Sequence, residues 1–173
     1  AEGILAGISS GAALYAALTL AFQPISYGAV QFRISEALTL LPVLFPQAVP
    51  GLTLGCLISN LFNPMGATVY DVVFGTLATL IAAVITWRMR ASIWVRALPP
   101  VLCNAVIVGA ECAWYQTGFT AAFWPAYAFN AFTVGVGELL ACYILGSLLI
   151  RVLPQISFFR ALIPQERLAR AAA

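Results

Sequence analysis

The chain of 173 residues is 62% hydrophobic and only 8% charged, whereas soluble domains are about a quarter charged, so we predict an integral membrane protein. It contains neither histidine nor lysine, which excludes histidine-based catalysis, histidine metal sites and lysine-dependent phosphate loops. A helix needs about 20 apolar residues to cross a bilayer, so there is room for at most about six spans and none for a nucleotide-binding domain. We therefore expect a protein that is not an enzyme, holds no cofactor or metal, and takes its energy from another chain.

Prolines, glycines, asparagines and charged residues divide the chain into six apolar segments, which we predict to be helices of one transmembrane domain, residues 1–173. The first segment is interpreted as a span, because it is too long for a signal peptide and no basic residues precede it. The predicted fold is all-α, an integral membrane bundle of six transmembrane helices with a short, broken second helix and a short amphipathic C-terminal segment. In chain order these elements are Gly3–Phe22, Arg33–Phe45, Gln47–Phe62, Asp71–Trp87, Ala97–Trp114 and Ala126–Ile150, followed by Leu153–Arg170.

The second segment is too short for an ordinary membrane helix. It has about 13 residues and contains Pro42, whereas the apolar core of a bilayer is about 30 Å thick and an α-helix rises about 1.5 Å per residue. The stretch before it, broken by Pro24 and Gly28, is therefore expected to enter the membrane as well. Irregular backbone at that depth is tolerated only against protein or a water-filled cavity, so we predict a binding cavity here. The alternative is a kinked helix that simply packs against its neighbours.

Seven of the eight arginines lie at two places that are separated by two spans. Two spans return the chain to the same face, and the positive-inside rule assigns that face to the cytoplasm. We therefore predict a multi-pass membrane protein, with both termini cytoplasmic if the first three segments all cross. The two groups are Arg88, Arg90 and Arg96, and then Arg151, Arg160, Arg167 and Arg170.

The remaining internal charges are predicted to converge on the outer half of the membrane. An ionisable group in the bilayer core costs several kcal/mol unless it has a partner, so each is a candidate for ligand binding. Glu111 and Glu138 are the strongest candidates, because neither has a basic neighbour in the sequence. They either meet Arg33 across helices or hold a cationic or donor-rich ligand. The full set is Arg33, Glu36, Asp71, Glu111 and Glu138.

Two of these assignments have a structural alternative of similar weight. Arg33 and Glu36 are three residues apart and can neutralise each other on one helix face. Asp71 begins the fourth segment, where an acidic side chain stabilises a helix N-terminus without any ligand.

Polar amides and aromatic rings accompany the charges. Three amides at the outer side, Gln31, Asn60 and Asn130, are candidates for ligand contacts or, alternatively, for hydrogen bonds between helices. The fifth connection, Trp114–Tyr127, is rich in aromatic residues, which form either an interfacial belt or a stack around a flat ring next to the carboxylates. We include Trp114, Tyr115 and Trp124 from this connection in the candidate site.

Four runs of the sequence resemble the QueT family of substrate-binding S components of energy-coupling-factor (ECF) transporters. The runs are Ala16–Ala21, Ser26–Pro42, Pro50–Leu61 and Asp71–Leu80, and the most specific is Gln-Phe-Arg-Ile-Ser-Glu within Ser26–Pro42. The resemblance implies a six-helix protein that binds a deazapurine precursor of queuosine, such as 7-aminomethyl-7-deazaguanine or queuine, near its outer face. It also implies docking through Ala13 and Ala17 onto a transmembrane coupling subunit, which carries two cytoplasmic ATPases that consume the ATP.

Other functions remain open on sequence grounds. The nearest alternative is an S component for a different cationic heterocycle or vitamin, because composition does not select the ring. A membrane enzyme acting on lipid headgroups is a weaker alternative, since the chain lacks histidine, lysine and any metal-binding pattern. The remaining alternative is a structural membrane scaffold.

Overall fold

The computed structural model describes residues 2–27, 32–64, 68–89 and 92–171, and in these ranges the chain is helical and has no β-strand. The predicted all-α class is thus confirmed. Four of the described helices, α1, α4, α5 and α6, are long and apolar enough to cross a membrane, whereas α2 and α3 are shorter. The helices are α1 (Glu2–Ala21), α2 (Ile34–Val43), α3 (Ala48–Leu61), α4 (Asp71–Arg88), α5 (Ile93–Thr117), α6 (Phe123–Gln155), α7 (Ser157–Leu162) and α8 (Gln165–Ala171), with one helical turn at Gln23–Ser26 after α1.

The distribution of polar and apolar side chains is the reverse of that in a soluble protein. Large apolar side chains such as Leu5 and Phe132 lie on the outside, where 66% and 70% of their surface is exposed. Charged and amide side chains such as Glu36, Asn60 and Glu138 are buried inside the bundle. Such an arrangement is stable when the surroundings are hydrocarbon, because the polar groups find their partners in the protein interior.

The short second segment is a 3₁₀-helix, α2, at the centre of the bundle. Its ten residues rise about 2.0 Å each, so it covers about 20 Å rather than the 15 Å of an α-helix of that length. It packs against α1, α3, α4 and α6, and nearly all of its side chains are buried. The predicted short helix is confirmed, and its tighter winding makes these ten residues longer along the helix axis than we expected.

Three of the long helices contain a π-helical turn. These turns are Asp71–Gly75 in α4, Asn104–Val108 in α5 and Leu140–Gly146 in α6. A π-turn contains one residue more than the α-helical turn and occurs frequently at functional sites. The sequence pattern did not predict these turns, yet each lies within a few residues of a candidate carboxylate.

Helices α1 and α3 pack with their backbones close together. A Cβ atom on Gly55 would lie 2.7 Å from the Cβ atom of Tyr15 and 2.8 Å from the carbonyl oxygen of Ala12, so only glycine fits there. Small residues at such positions allow two helix backbones to approach closely. On the opposite side of α1, Ala13 and Ala17 are exposed.

The C-terminal segment folds back under α2. Ile163 is buried against the core that includes Leu40 and Leu44, and the Nη1 atom of Arg167 donates a hydrogen bond of 3.5 Å to the carbonyl oxygen of Val43. A cation at this position stabilises the C-terminal end of a helix, where carbonyl groups lack partners.

Candidate functional site

The five internal charges, which come from four helices or their ends, lie close together in the structure. Glu138 of α6 lies in the electrostatic range of both Glu36 and Arg33 at α2. Glu111 of α5 interacts electrostatically with Asp71 of α4 and with Arg33. Both carboxylates thus lie within the electrostatic influence of Arg33, whereas the choice between an ion pair with Arg33 and a cationic or donor-rich ligand stays a prediction.

One carboxylate oxygen of Glu36 accepts a hydrogen bond within the protein, and the other has no hydrogen-bond partner among the described residues. The hydroxyl group of Tyr15, a fully buried residue of α1, donates a hydrogen bond to Oε1 of Glu36. The second oxygen, Oε2, is buried and has no hydrogen-bond partner among the described residues. Because a buried polar atom without a partner is costly, such an atom marks a position where a ligand can donate.

Arg33 is fixed by contacts with the residues that follow α1. Its Nε atom donates to the carbonyl oxygen of Ser26 at 3.4 Å, and its guanidinium group lies over the ring of Tyr27, 5.3 Å from the ring centre. Tyr27 in turn donates to the carbonyl oxygen of Ser59 at 2.8 Å. Arg33 and Glu36 attract each other electrostatically. Their hydrogen bonds go elsewhere, because Arg33 donates to Ser26 in the turn after α1 and Glu36 accepts from Tyr15 in α1. Mutual neutralisation therefore does not by itself explain the two residues.

Asp71 forms a capping box at the start of α4. Its Oδ2 atom accepts from the backbone N–H of Thr68 at 3.1 Å, and the Thr68 hydroxyl accepts from the backbone N–H of Asp71 at 3.1 Å. The structural alternative for Asp71 is therefore realised. The same carboxyl group also interacts electrostatically with Glu111, and two neighbouring carboxyls are stable only with a shared proton or a nearby cation.

Glu138 is buried next to the π-turn of α6. The thiol of Cys142 donates to its Oε2 atom at 3.8 Å, and the side chain of Asn104, at the start of the π-turn in α5, interacts with it electrostatically. These contacts orient the carboxylate toward the interior of the bundle.

The three candidate amides have different environments. Asn60 donates to the carbonyl oxygen of Asp71 at 3.0 Å, and its Oδ1 atom is buried with no partner among the described residues. Asn130 exchanges hydrogen bonds of 3.0 and 3.3 Å with the amide of Gln116, which joins α5 to α6. The alternative of a contact between helices thus applies to Asn130. Gln31 lies outside the described residues.

An aromatic pocket of about 470 Å³ lies between the N-terminal end of α4 and the C-terminal end of α5. Trp114 and Tyr70 meet edge to face with their ring centres 4.5 Å apart, and Glu111 is the one charged residue in the wall. Tyr115 and Trp124 are 69% and 70% exposed and do not line it, as expected for an interfacial belt. The pocket is lined by Tyr70, Phe74, Val106, Ile107, Ala110, Glu111, Trp114, Phe119 and Phe123.

Sequence reasoning missed Tyr15 and Ser26. Tyr15 holds Glu36, and the hydroxyl of Ser26 is a further buried atom without a partner among the described residues. The sequence did contain a signal for Tyr15, namely its position inside an apolar helix, because a buried tyrosine hydroxyl needs a hydrogen-bond partner. Nothing in the local pattern identified that partner as Glu36.

The fold and the site define a helical, multi-pass membrane protein with a buried acidic cluster next to an aromatic pocket. The model of the QueT transporter family matches residues 5–155, so the chain belongs to that family. It is 40% identical over 72 residues to the Queuosine precursor transporter QueT of Lactococcus lactis subsp. cremoris (strain MG1363), a match that covers 40% of this chain and 41% of the relative. No solved structure matches the chain.

Proposed function

We propose that the chain is the substrate-binding S component of an ECF transporter and that it binds a deazapurine precursor of queuosine at its outer face. Membership of the QueT transporter family and the name of the Lactococcus relative, a queuosine precursor transporter, support a queuosine precursor as the substrate. Import then depends on partner subunits, namely a transmembrane coupling subunit and two cytoplasmic ATPases that use the ATP. In this proposal all six segments cross the membrane and both termini are cytoplasmic.

The observation that carries this proposal is the excess of buried carboxyl groups around one arginine. Glu36, Glu111 and Glu138 are buried and interact electrostatically with Arg33, and Asp71 interacts with Glu111. Among the side chains that the structure describes, the other arginines are at the opposite ends of the helices or in the C-terminal segment. One guanidinium group balances one of the four charges, so a ligand with a cationic amine and several N–H donors would balance more of them. 7-Aminomethyl-7-deazaguanine has both features.

The aromatic pocket supports a flat ring as the second feature of the ligand. Its volume falls in the usual range for small-molecule sites, about 300–1,000 Å³. A heterocycle that stacks on Trp114 brings an attached amine close to Glu111, which in turn interacts electrostatically with Asp71. Glu36 and Asn60 do not line this pocket, but each has a buried acceptor atom that lacks a partner among the described residues. In this proposal the edge of the ring reaches beyond the pocket wall and donates its N–H groups to these two atoms.

The exposed small residues of α1 support the docking part of the proposal. Ala13 and Ala17 lie on the outside of the bundle one turn apart, which allows the backbone of a partner helix to approach closely. We therefore assign the contact with the coupling subunit to this face of α1.

Calorimetric titration of the purified protein tests the ligand. We expect tight binding of 7-aminomethyl-7-deazaguanine and much weaker binding of guanine and of unrelated vitamins. Trp114→Ala should weaken binding by about 5- to 150-fold, because stacking of a base on an aromatic ring contributes about 1–3 kcal/mol. Trp124→Ala removes the same side chain from outside the pocket and should leave the affinity unchanged. Lack of binding by any deazapurine would contradict the proposal.

A different cationic heterocycle is the second candidate, because the same pocket and carboxyl groups would accept it. The titration separates the two: a cationic vitamin that binds more tightly than the deazapurines would keep the S-component role and replace the substrate.

A further inference from the structure

Tyr15 is the residue that sets the orientation of the Glu36 carboxylate. The Tyr15 side chain is fully buried, and it packs with Leu52 and Cys56 of α3 in one apolar cluster. Gly55 leaves just enough room for its Cβ atom, as the 2.7 Å approach above indicates. The ring is therefore fixed by packing on α3, and its hydroxyl has a defined position at Oε1 of Glu36.

The consequence for Glu36 is that only one of its two oxygens is occupied. A carboxylate beside a guanidinium group tends to turn both oxygens toward it. The Tyr15 hydroxyl holds Oε1 on the α1 side, and Oε2 is left buried without a partner among the described residues. The Glu36 side chain is 1% exposed, so Oε2 can accept only from a group inside the bundle.

We propose that Tyr15 is a positioning residue that keeps Oε2 of Glu36 directed at an N–H donor of the ligand ring. It contacts Glu36 and not the ligand, and it acts by preventing the carboxylate from rotating toward Arg33. This inference rests on the proposed function and adds a residue that determines how well the donor edge of the ring is recognised.

A double-mutant cycle on the purified protein tests the inference, with 7-aminomethyl-7-deazaguanine as the probe. Tyr15→Phe, which keeps the ring, should weaken binding about tenfold in the wild-type background. In the Glu36→Gln background the same substitution should change the affinity less than twofold, because the group that Tyr15 orients is already altered. A purely structural role predicts the same loss in both backgrounds and would overturn the inference.

Ligand selectivity provides a second readout that does not depend on stability. The 2-deamino analogue of the probe lacks one ring-edge donor, and Tyr15→Phe should reduce the preference for the parent compound over this analogue. An unchanged preference would count against a positioning role even if the variant were less stable.

Thr19→Val is the matched control. Thr19 is also fully buried on α1, but its hydroxyl lies 2.6 Å from the hydroxyl of Ser35 and does not contact Glu36. This substitution should leave both the affinity and the selectivity unchanged. If the wild-type protein binds no deazapurine, the proposed function fails and this inference falls with it; if it binds and Tyr15→Phe binds equally well, only the inference about Tyr15 fails.

Discussion

Replacement of Glu111 by glutamine should move ligand affinity and folding stability in opposite directions. Glu111 is 9% exposed and lines the aromatic pocket. In the proposed function its carboxylate pairs with the amine of the ligand. A hydrogen bond to a charged group contributes about 1.5–3 kcal/mol, so Glu111→Gln should weaken an aminomethyl ligand by roughly 10- to 150-fold. The same change removes a carboxyl from contact with Asp71, so the free energy of unfolding should stay equal or rise.

Two ligands and two measurements make this prediction specific. Calorimetric titration with 7-aminomethyl-7-deazaguanine should show the loss, whereas 7-methyl-7-deazaguanine, which lacks the amine, should bind the variant and the wild type within about threefold. Thermal unfolding without ligand should give a Tm at or above that of the wild type. Glu166→Gln, on the exposed surface of α8, is the control and should change neither quantity. Equal losses for both ligands, or a lower Tm with unchanged affinity, would refute the reasoning.

Two further predictions concern the two faces of α1, the one that packs against α3 and the one that is exposed. Gly55→Ala should lower the Tm by an amount that corresponds to about 1–3 kcal/mol, because the added methyl group meets Tyr15 and backbone of α1, whereas Gly3→Ala, with open space around it, should leave the Tm equal or higher. Ala13→Leu combined with Ala17→Leu should leave ligand binding intact but abolish uptake by the protein reconstituted with its coupling subunit and ATPases; full uptake would place the docking face elsewhere.

The positions of the helices followed from the sequence because hydrophobic runs and their breaks determine where a chain can lie in lipid. The predicted third segment, Gln47–Phe62, agrees with α3 to within one residue at each end. The predicted position of Asp71 in the first turn of a helix was also realised, since its capping box with Thr68 depends on a spacing of three residues that is visible in the sequence. Local signals of this kind need no knowledge of the rest of the fold.

The winding of the helices was not predictable in the same way. The 3₁₀ geometry of α2 is favoured by contacts with α1, α3, α4 and α6, none of which is encoded in its own ten residues. The hydrogen bond from Tyr15 to Glu36 joins residues 21 positions apart, so it depends on how α1 packs beside α2. For the candidate site, residue types and approximate depth predicted the convergence of charges, whereas the partner of each side chain required the packing.

The π-turn of α6 has a consequence for how proteins of this kind change over evolutionary time. A π-turn is an α-helix with one residue inserted, and removal of that residue rotates the two parts of the helix relative to each other by about 100°. A single deletion within Leu140–Gly146 would keep the helix apolar and long enough to cross the membrane, but it would turn Glu138 to a new direction relative to the Ser147–Val152 end. A change of ligand can therefore arise from the length of one helix, with no residue in the site replaced.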